Sequence, residues 1–192
     1  AHAPPEPFSL PALFRIAPLG VVATILSGVS WAVVFTFGPV YAQREGFTLP
    51  QIGFFMGVAM VAGALVQFPL GWVSDHIGRR RTIGLMCAAG MLASLFGIWA
   101  QSEGIVMLDI ASALIGALVF PLYGISVAHA NDAVLPSQRV AAAAGLVLVF
   151  GLGSIAGPMM TGWAVSVFGS VAYFWVLAAV MGASVTAAAI AR

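Results

Sequence analysis

Six long apolar stretches, each close to the length that crosses a bilayer, constrain this chain more than any other feature of its sequence. They run over residues 16–41, 52–73, 82–100, 105–128, 140–163 and 171–191. A membrane-spanning helix needs about 20 apolar residues, whereas a spanning β-strand needs about 10 residues of alternating polarity. Only 7% of the residues are charged, against about 25% in soluble domains. We therefore predict an all-α integral membrane protein with six transmembrane helices.

The distribution of arginine predicts the orientation of these helices. If the chain starts inside the cell, most arginines lie on the cytoplasmic side, and Arg44 alone lies outside, beside Glu45. The cytoplasmic group consists of Arg15, Arg79, Arg80, Arg81, Arg139 and Arg192. Because positively charged residues are retained on the cytoplasmic side of a membrane, both termini are expected to be cytoplasmic.

The N-terminal segment differs in composition from the rest of the chain. It begins AHAPPEPF, without an initiator Met, and it has three prolines in its first seven residues. It lacks the basic start and apolar core of a signal peptide, and its proline content is typical of a stiff linker. We assign residues 1–14 to a Pro-rich linker that follows a larger preceding part, and residues 15–192 to one six-helix domain.

The first three apolar stretches resemble the last three. The first and fourth carry FGPVY at 37–41 and FPLYG at 120–124. The second and fifth both begin with Leu-Pro, and both end with Pro followed by Gly-Trp. A unit with three spans must be followed by a unit of opposite direction, so this pattern predicts a 3+3 inverted repeat, a common plan of secondary transporters. The alternative is chance similarity in a chain rich in Gly, Ala and Leu.

One loop, between the second and third stretches, concentrates the charge. Its sequence, PLGWVSDHIGRRRT, resembles the motif that follows the second helix of a six-helix half in the major facilitator superfamily. The residues that carry this resemblance are Gly71, Asp75, His76, Gly78, Arg79, Arg80 and Arg81. His76 departs from the family form, which usually has Arg or Lys at this position.

The resemblance implies that the loop is a conformational latch. Gly71 would allow close helix approach, Gly78 would permit a tight turn, and Asp75 would face the N-terminus of the fifth helix. The alternative is that the three arginines only anchor the loop in the cytoplasm.

A second polar cluster follows the fourth stretch. Asp132 and Arg139 are separated by six residues, which resembles an acidic-x6-Arg pattern of sugar porters in the same superfamily. We predict a network of Asp75, Arg79, Asp132 and Arg139. Surface ion pairs are individually worth about 0–1 kcal/mol, so such a network is able to break and re-form as a transporter opens.

Two glycine patterns point to close helix packing. Gly153-x-x-x-Gly157-Pro158 in the fifth stretch resembles the glycine-proline motif of drug and metabolite antiporters. The alternative is ordinary close packing of two helices with a kink at Pro158. Gly53-x-x-x-Gly57 in the second stretch allows the same close approach.

The first and fourth helices of each half line the central cavity in this superfamily. The resemblance therefore implies six substrate-cavity candidates: Thr24, Ser27, Ser30, Trp31, Ser112 and Tyr123. The alternative for the hydroxyls is a hydrogen bond to their own helix backbone. Asp109 is the only acidic residue inside a predicted stretch. It is a proton-coupling candidate, unless it only reaches headgroup water near the membrane surface.

The resemblance covers nearly the whole chain. It implies one half, more specifically the C-terminal half, of a transporter similar to the YcaD-like group, in the bacterial inner membrane. The expected function is secondary, proton-coupled transport of a small-molecule substrate by alternating access. The expected partners are the lipid bilayer and a second six-helix half, from the same polypeptide, a homodimer or another subunit. No nucleic acid, cofactor, metal or enzyme activity is expected. The alternative is a non-transporting membrane subunit that uses the half-fold as a scaffold.

Overall fold

A computed structural model describes residues 9–190, and every regular element in that range is helical. Six of its helices are long and apolar enough to cross a bilayer, so the predicted all-α fold with six transmembrane helices is confirmed. A 3₁₀ turn, Pro136–Gln138, precedes the sixth α-helix. The α-helices are α1 (Leu10–Ile16), α2 (Pro18–Arg44), α3 (Leu49–Ile77), α4 (Arg79–Ala100), α5 (Ile105–Asp132), α6 (Arg139–Phe168) and α7 (Ala172–Ile190).

Most helices extend a few residues beyond the apolar stretches that predict them. Helix α3 continues through Asp75 and His76, and α5 continues to Asp132. These polar residues continue the helix because its backbone hydrogen bonds do not depend on hydropathy. Thr48 caps α3 as part of a capping box, in which its backbone N–H donates to Gln51 Oε1 over 2.8 Å.

The described end of the N-terminal segment is helical rather than extended. Helix α1 covers residues that we assign to the linker. Its Leu13 is 1% exposed and packs in a small cluster with Leu146 and Val149 of α6. Residues from Leu10 onward therefore belong to the helix bundle, whereas the proline-rich residues 1–8 lie outside the described residues.

The helix pairing has the symmetry of a 3+3 inverted repeat. Helix α2 packs on α6, and α5 packs on α3. If the unit α2–α4 is exchanged with the unit α5–α7, each of these pairs becomes the other. The pairs α4 with α7 and α2 with α5 map onto themselves. Prolines lie inside matching helices, Pro39 and Pro121 in α2 and α5, and Pro69 and Pro158 in α3 and α6.

Small residues make the closest helix contacts at both equivalent pairs. A Cβ atom on Gly28 of α2 would overlap the carbonyl oxygen of Phe150 in α6. A Cβ atom on Gly116 of α5 would likewise overlap the carbonyl oxygen of Ala59 in α3. Such contacts let two helices approach until their backbones touch, which is how membrane helices gain dispersion energy without a hydrophobic driving force.

Candidate functional site

The loop between α3 and α4 is a tight turn made possible by one glycine. Gly78 has φ of 94°, in the region that favours glycine. It ends α3, where its N–H donates to Ser74 O over 3.2 Å, and it immediately precedes α4. The turn therefore places Arg79, Arg80 and Arg81 together in the first turn of α4.

Arg79 joins three helices through two ion pairs. Its Nη2 lies 3.2 Å from Asp75 Oδ1 on α3, and its Nε lies 2.5 Å from Asp132 Oδ2 on α5. Three members of the predicted four-residue network thus come together. Arg139 does not join them, because it is exposed at the start of α6 and forms no ion pair among residues 9–190.

Arg80 binds the far end of another helix. Its Nε donates to Ala188 O over 3.0 Å, and its Nη2 donates to Ala189 O over 3.2 Å. These carbonyls lie in the last turn of α7, where the helix dipole favours a cation. Arg81 is exposed.

The contacts of His76 and Gly71, the two remaining features of the loop, differ from those expected. His76 bonds within its own helix, where its Nδ1–H donates to Trp72 O over 2.7 Å and its ring lies 4.1 Å from the Trp72 ring. A Cβ atom on Gly71 would meet nothing within 4 Å, so Gly71 permits no close helix approach inside this unit. Instead, Gly71 and Asp75 line a cleft of about 260 Å³ between α3 and α5. In the described residues Asp75 pairs with Arg79 and not with the N-terminus of α6.

Four of the six cavity candidates lie in the core of the bundle. Thr24, Ser27 and Ser30 are all 0% exposed, and each hydroxyl donates to a carbonyl of its own helix. Ser112 is 3% exposed and donates to Phe55 O, over 2.8 Å, from α5 to α3. Their hydroxyl groups are therefore occupied by structural hydrogen bonds, and these four side chains do not reach an open surface.

Trp31 and Tyr123 do reach the surface, and three phenylalanines join them. Trp31 is 38% exposed, and its ring centroid lies 4.1 Å from that of Phe35 and 6.2 Å from that of Phe150. Phe120 lies 5.3 Å from Phe35, and Tyr123 lies 4.6 Å from Phe150. We call these five residues, from α2, α5 and α6, the aromatic surface. Sequence reasoning missed the three phenylalanines, although Trp31 and Phe35 have the spacing of side chains that share a helix face.

Asp109 lies in the second turn of α5, at the opposite end of the bundle from Arg79, Arg80 and Arg81. It is partly buried, and its Oδ1 has no hydrogen-bond partner among the described residues. Those residues also contain no group of His, Cys, Asp and Glu side chains able to hold a metal ion. The structure does not bring Asp109 to the Arg79 cluster.

The two glycine patterns behave differently. Cβ atoms on Gly153 and Gly157 would collide with carbonyl oxygens of Ile25 and Val29, so both glycines serve the close contact of α6 with α2. Pro158 lies inside α6, which continues past it. Cβ atoms on Gly53 and Gly57 would meet nothing within 4 Å, so the expected close approach at these two glycines does not occur within this unit.

Comparison with known proteins identifies the family. The chain matches the profile of the Major Facilitator Superfamily over residues 20–192. The chain belongs to the Major Facilitator Superfamily. It is similar to the MFS-type transporter YcaD of Escherichia coli strain K12, with 31% identity over 166 residues, 86% of this chain and 42% of the relative. YcaD of Salmonella arizonae is 31% identical over 147 residues, 77% of this chain and 37% of the relative.

This membership agrees with the bundle described above. The chain spans about two fifths of the length of these relatives, 42% and 37% in the two cases. The relatives are transporters rather than enzymes, and they come from bacteria. With its six apolar helices, this MFS chain is a multi-pass protein of the bacterial inner membrane.

Proposed function

We propose that this chain is one six-helix half, the C-terminal one, of a proton-coupled secondary transporter that moves a small solute by alternating access. The observation that carries this proposal is the aromatic surface in an MFS bundle. Trp31 is the one large apolar side chain of α2 that is exposed among the described residues. More than half of the residues of α2 are buried in the unit, so this exposed position is suited to contact a solute rather than the core.

The uncovered face of α3 supports the proposal that a second six-helix unit binds to this one. Only Phe55, Ala59, Gly63 and Ser74 of α3 are buried. Gly53, Gly57 and their neighbours line an open apolar groove of about 440 Å³. A helix from the N-terminal half, from another copy or from a different subunit would cover this groove and close the solute pathway.

The Arg79 cluster supports a latch on the cytoplasmic side. Arg79 holds α3, α4 and α5 together through side chains that are partly exposed to solvent, with Asp75 at 63% and Asp132 at 57%. Each exposed ion pair is worth about 0–1 kcal/mol, so the pairs are weak enough to open during a transport cycle.

Asp109 is the proposed site of proton coupling. It is the one acidic residue within the first two turns of α5, and its Oδ1 has no hydrogen-bond partner among the described residues, so a proton would bind there without breaking an existing contact. A carboxyl that exchanges a proton during transport must be reached by solvent, and Asp109 is only partly buried.

Proteoliposomes test the function directly. The chain is reconstituted together with its complementary six-helix unit, a pH-sensitive dye is enclosed, and a panel of small solutes of varied polarity is added outside. Transport coupled to protons predicts a change of luminal pH with at least one solute, and Asp109→Asn abolishes it. A scaffold subunit predicts no change with any solute. Solute uptake that persists unchanged in Asp109→Asn would remove the proposed proton site while leaving transport intact.

A further inference from the structure

A groove between α4 and α7 is not used by the proposed transport function. It has a volume of about 520 Å³ and lies at the end of the bundle that carries the α3–α4 loop. Arg80 and Arg81 stand at its mouth, and Gly84, Leu85, Val185 and Ala188 line its apolar wall. We propose that this groove binds one anionic phospholipid, with the phosphate at the two arginines and an acyl chain along the apolar wall.

The two arginines at the mouth have no carboxylate partner among the described residues. Arg79 pairs with Asp75 and Asp132, and these two carboxylates give that cluster one net negative charge, whereas Arg80 contacts two carbonyl groups of α7 and no carboxylate among residues 9–190. Arg81 is exposed and has no ion pair or hydrogen bond among residues 9–190. Arg81 therefore stands without a counter-charge in the first turn of α4, where the helix dipole disfavours a cation. The Arg80 guanidinium lies at the end of α7, where the dipole favours it. A bound anion would relieve the repulsion at Arg81.

The start of α4 adds donors for the same anion. Gly78 precedes the helix, and no side-chain hydrogen bond caps it. The first N–H groups of a helix have no intrahelical partner, and together with the dipole they form a favourable place for a phosphate. These N–H groups belong to the helix turn that carries Arg80 and Arg81, at the same end of the groove.

The apolar wall decides which anion fits. Leu85 is 63% exposed, and a Cβ atom on Gly84 would lie 3.6 Å from Ala188 Cβ, an ordinary contact that leaves the groove open above it. A free phosphate would use only the arginines and the N–H groups. A phospholipid uses these and the apolar wall together, and basic pockets between membrane helices bind anionic headgroups in this way.

Native mass spectrometry of the purified full chain in detergent tests the proposal. Phosphatidylglycerol and phosphatidylcholine with identical acyl chains are titrated separately. The unaltered chain is expected to bind phosphatidylglycerol more tightly. Arg81→Gln is expected to weaken phosphatidylglycerol binding about fivefold, equivalent to about 1 kcal/mol, with phosphatidylcholine unchanged. Gly84→Leu fills the groove and is expected to weaken both lipids.

Two control variants separate this site from general surface charge and from misfolding. Arg15→Gln removes the same charge from an exposed position on α1 and is expected to change nothing. Arg81→Lys keeps the charge and is expected to retain most of the phosphatidylglycerol binding. Equal losses in Arg15→Gln and Arg81→Gln would overturn the site, as would full binding by Arg81→Gln. Displacement of the lipid by excess glycerol phosphate would show that a soluble anion, not a phospholipid, is the ligand.

Discussion

Three neighbouring arginines have three different environments in this fold. Arg79 pairs with two carboxylates, Arg80 reaches the last carbonyls of α7, and Arg81 stays exposed. Consecutive residues of a helix point about 100° apart, since a turn holds 3.6 residues, so each arginine meets a different neighbour. Only Arg79 is able to couple the α3–α4 loop to α5.

Asp75→Asn should loosen the cleft between α3 and α5. The change leaves Arg79 with Asp132 alone, and the loss of an exposed ion pair worth about 0–1 kcal/mol predicts up to about fivefold more opening. The probe is Gly124→Cys, which lines the same cleft, in a chain whose buried Cys87 is replaced by Ala. The rate of labelling by a water-soluble maleimide should rise. Glu103→Gln, at the other end of the bundle, should leave this labelling rate unchanged. Equal rates in the Gly124→Cys chain and in the same chain with Asp75→Asn or Glu103→Gln would rule out the latch.

Ser112→Ala should destabilise the bundle, because the Ser112 hydroxyl links α5 to α3 through Phe55 O. Hydrogen bonds between membrane helices are worth about 0.6 kcal/mol on average and about 1.7 at most. Unfolding by dodecyl sulfate in mixed micelles should show a loss of this size. Ser126→Ala is the matched control, since Ser126 donates to Leu122 O within α5. A loss as large in Ser126→Ala would mean that the link between helices contributes nothing.

Among the helices, α2 and α6 are in direct backbone contact at several positions. Gly28, Gly153 and Gly157 each bring the backbone of one helix against the other, and Ser154 donates to Gly28 O over 3.3 Å. Helix α3 has this relation to α5 on one side only, and its other side carries the open groove with Gly53 and Gly57. The same small residue thus serves the core in α6 and an uncovered face in α3.

Gly153→Leu and Gly57→Leu should therefore fail in different ways. A leucine side chain at position 153 would collide with Ile25 O. Overpacking of this kind lowers the free energy of unfolding by about 1–3 kcal/mol. The thermal stability of the Gly153→Leu variant in detergent should therefore fall. Gly57→Leu should fold normally but cross-link to a second six-helix unit about tenfold less, equivalent to about 1.4 kcal/mol of lost packing. If both variants lost only cross-linking, Gly153 would belong to an outer interface instead of the α2 contact.

At the scale of the whole molecule, the inverted repeat makes a structurally symmetric unit with chemically different ends. One end has the Arg79 cluster and the groove between α4 and α7, and the other has Asp109 and the short turns at Gly46, Gly104 and Gly169. Since basic residues remain on the cytoplasmic side, this difference should orient the bundle.

Reporter fusions measure that orientation. Alkaline phosphatase is active outside the cytoplasm, so fusions at Gly46, Gly104 and Gly169 should be active. Fusions at Gly78 and Ala133, next to the arginine-rich end, should be inactive. Replacement of Arg79, Arg80 and Arg81 together by Gln should reduce the difference in phosphatase activity between the two groups of fusions. This change removes half of the arginines that are expected to set the topology. Activity at Gly78 in the unaltered chain would contradict the orientation.

Local sequence was sufficient for the number of membrane helices, the loop motif and the family. Each depends on residues close together in the chain, since a span is one apolar stretch and the Gly78 turn is one motif. It was not sufficient for the start of α6. The 3₁₀ turn Pro136–Gln138 precedes this helix, and no side-chain hydrogen bond caps its first residues, so no capping motif marks where it begins.

The rotation of each helix about its own axis was decided by the tertiary structure alone. In water, a polar face shows which side of a helix is outside, but in lipid the inner and outer faces are both apolar. The sequence therefore could not tell that Ser27 and Ser30 point into the core while Trp31 reaches the surface. It also could not tell that Gly153 touches α2 while Gly57 faces an open groove. Those differences arise only when neighbouring helices pack, because backbone contact at small residues fixes the rotation of each helix.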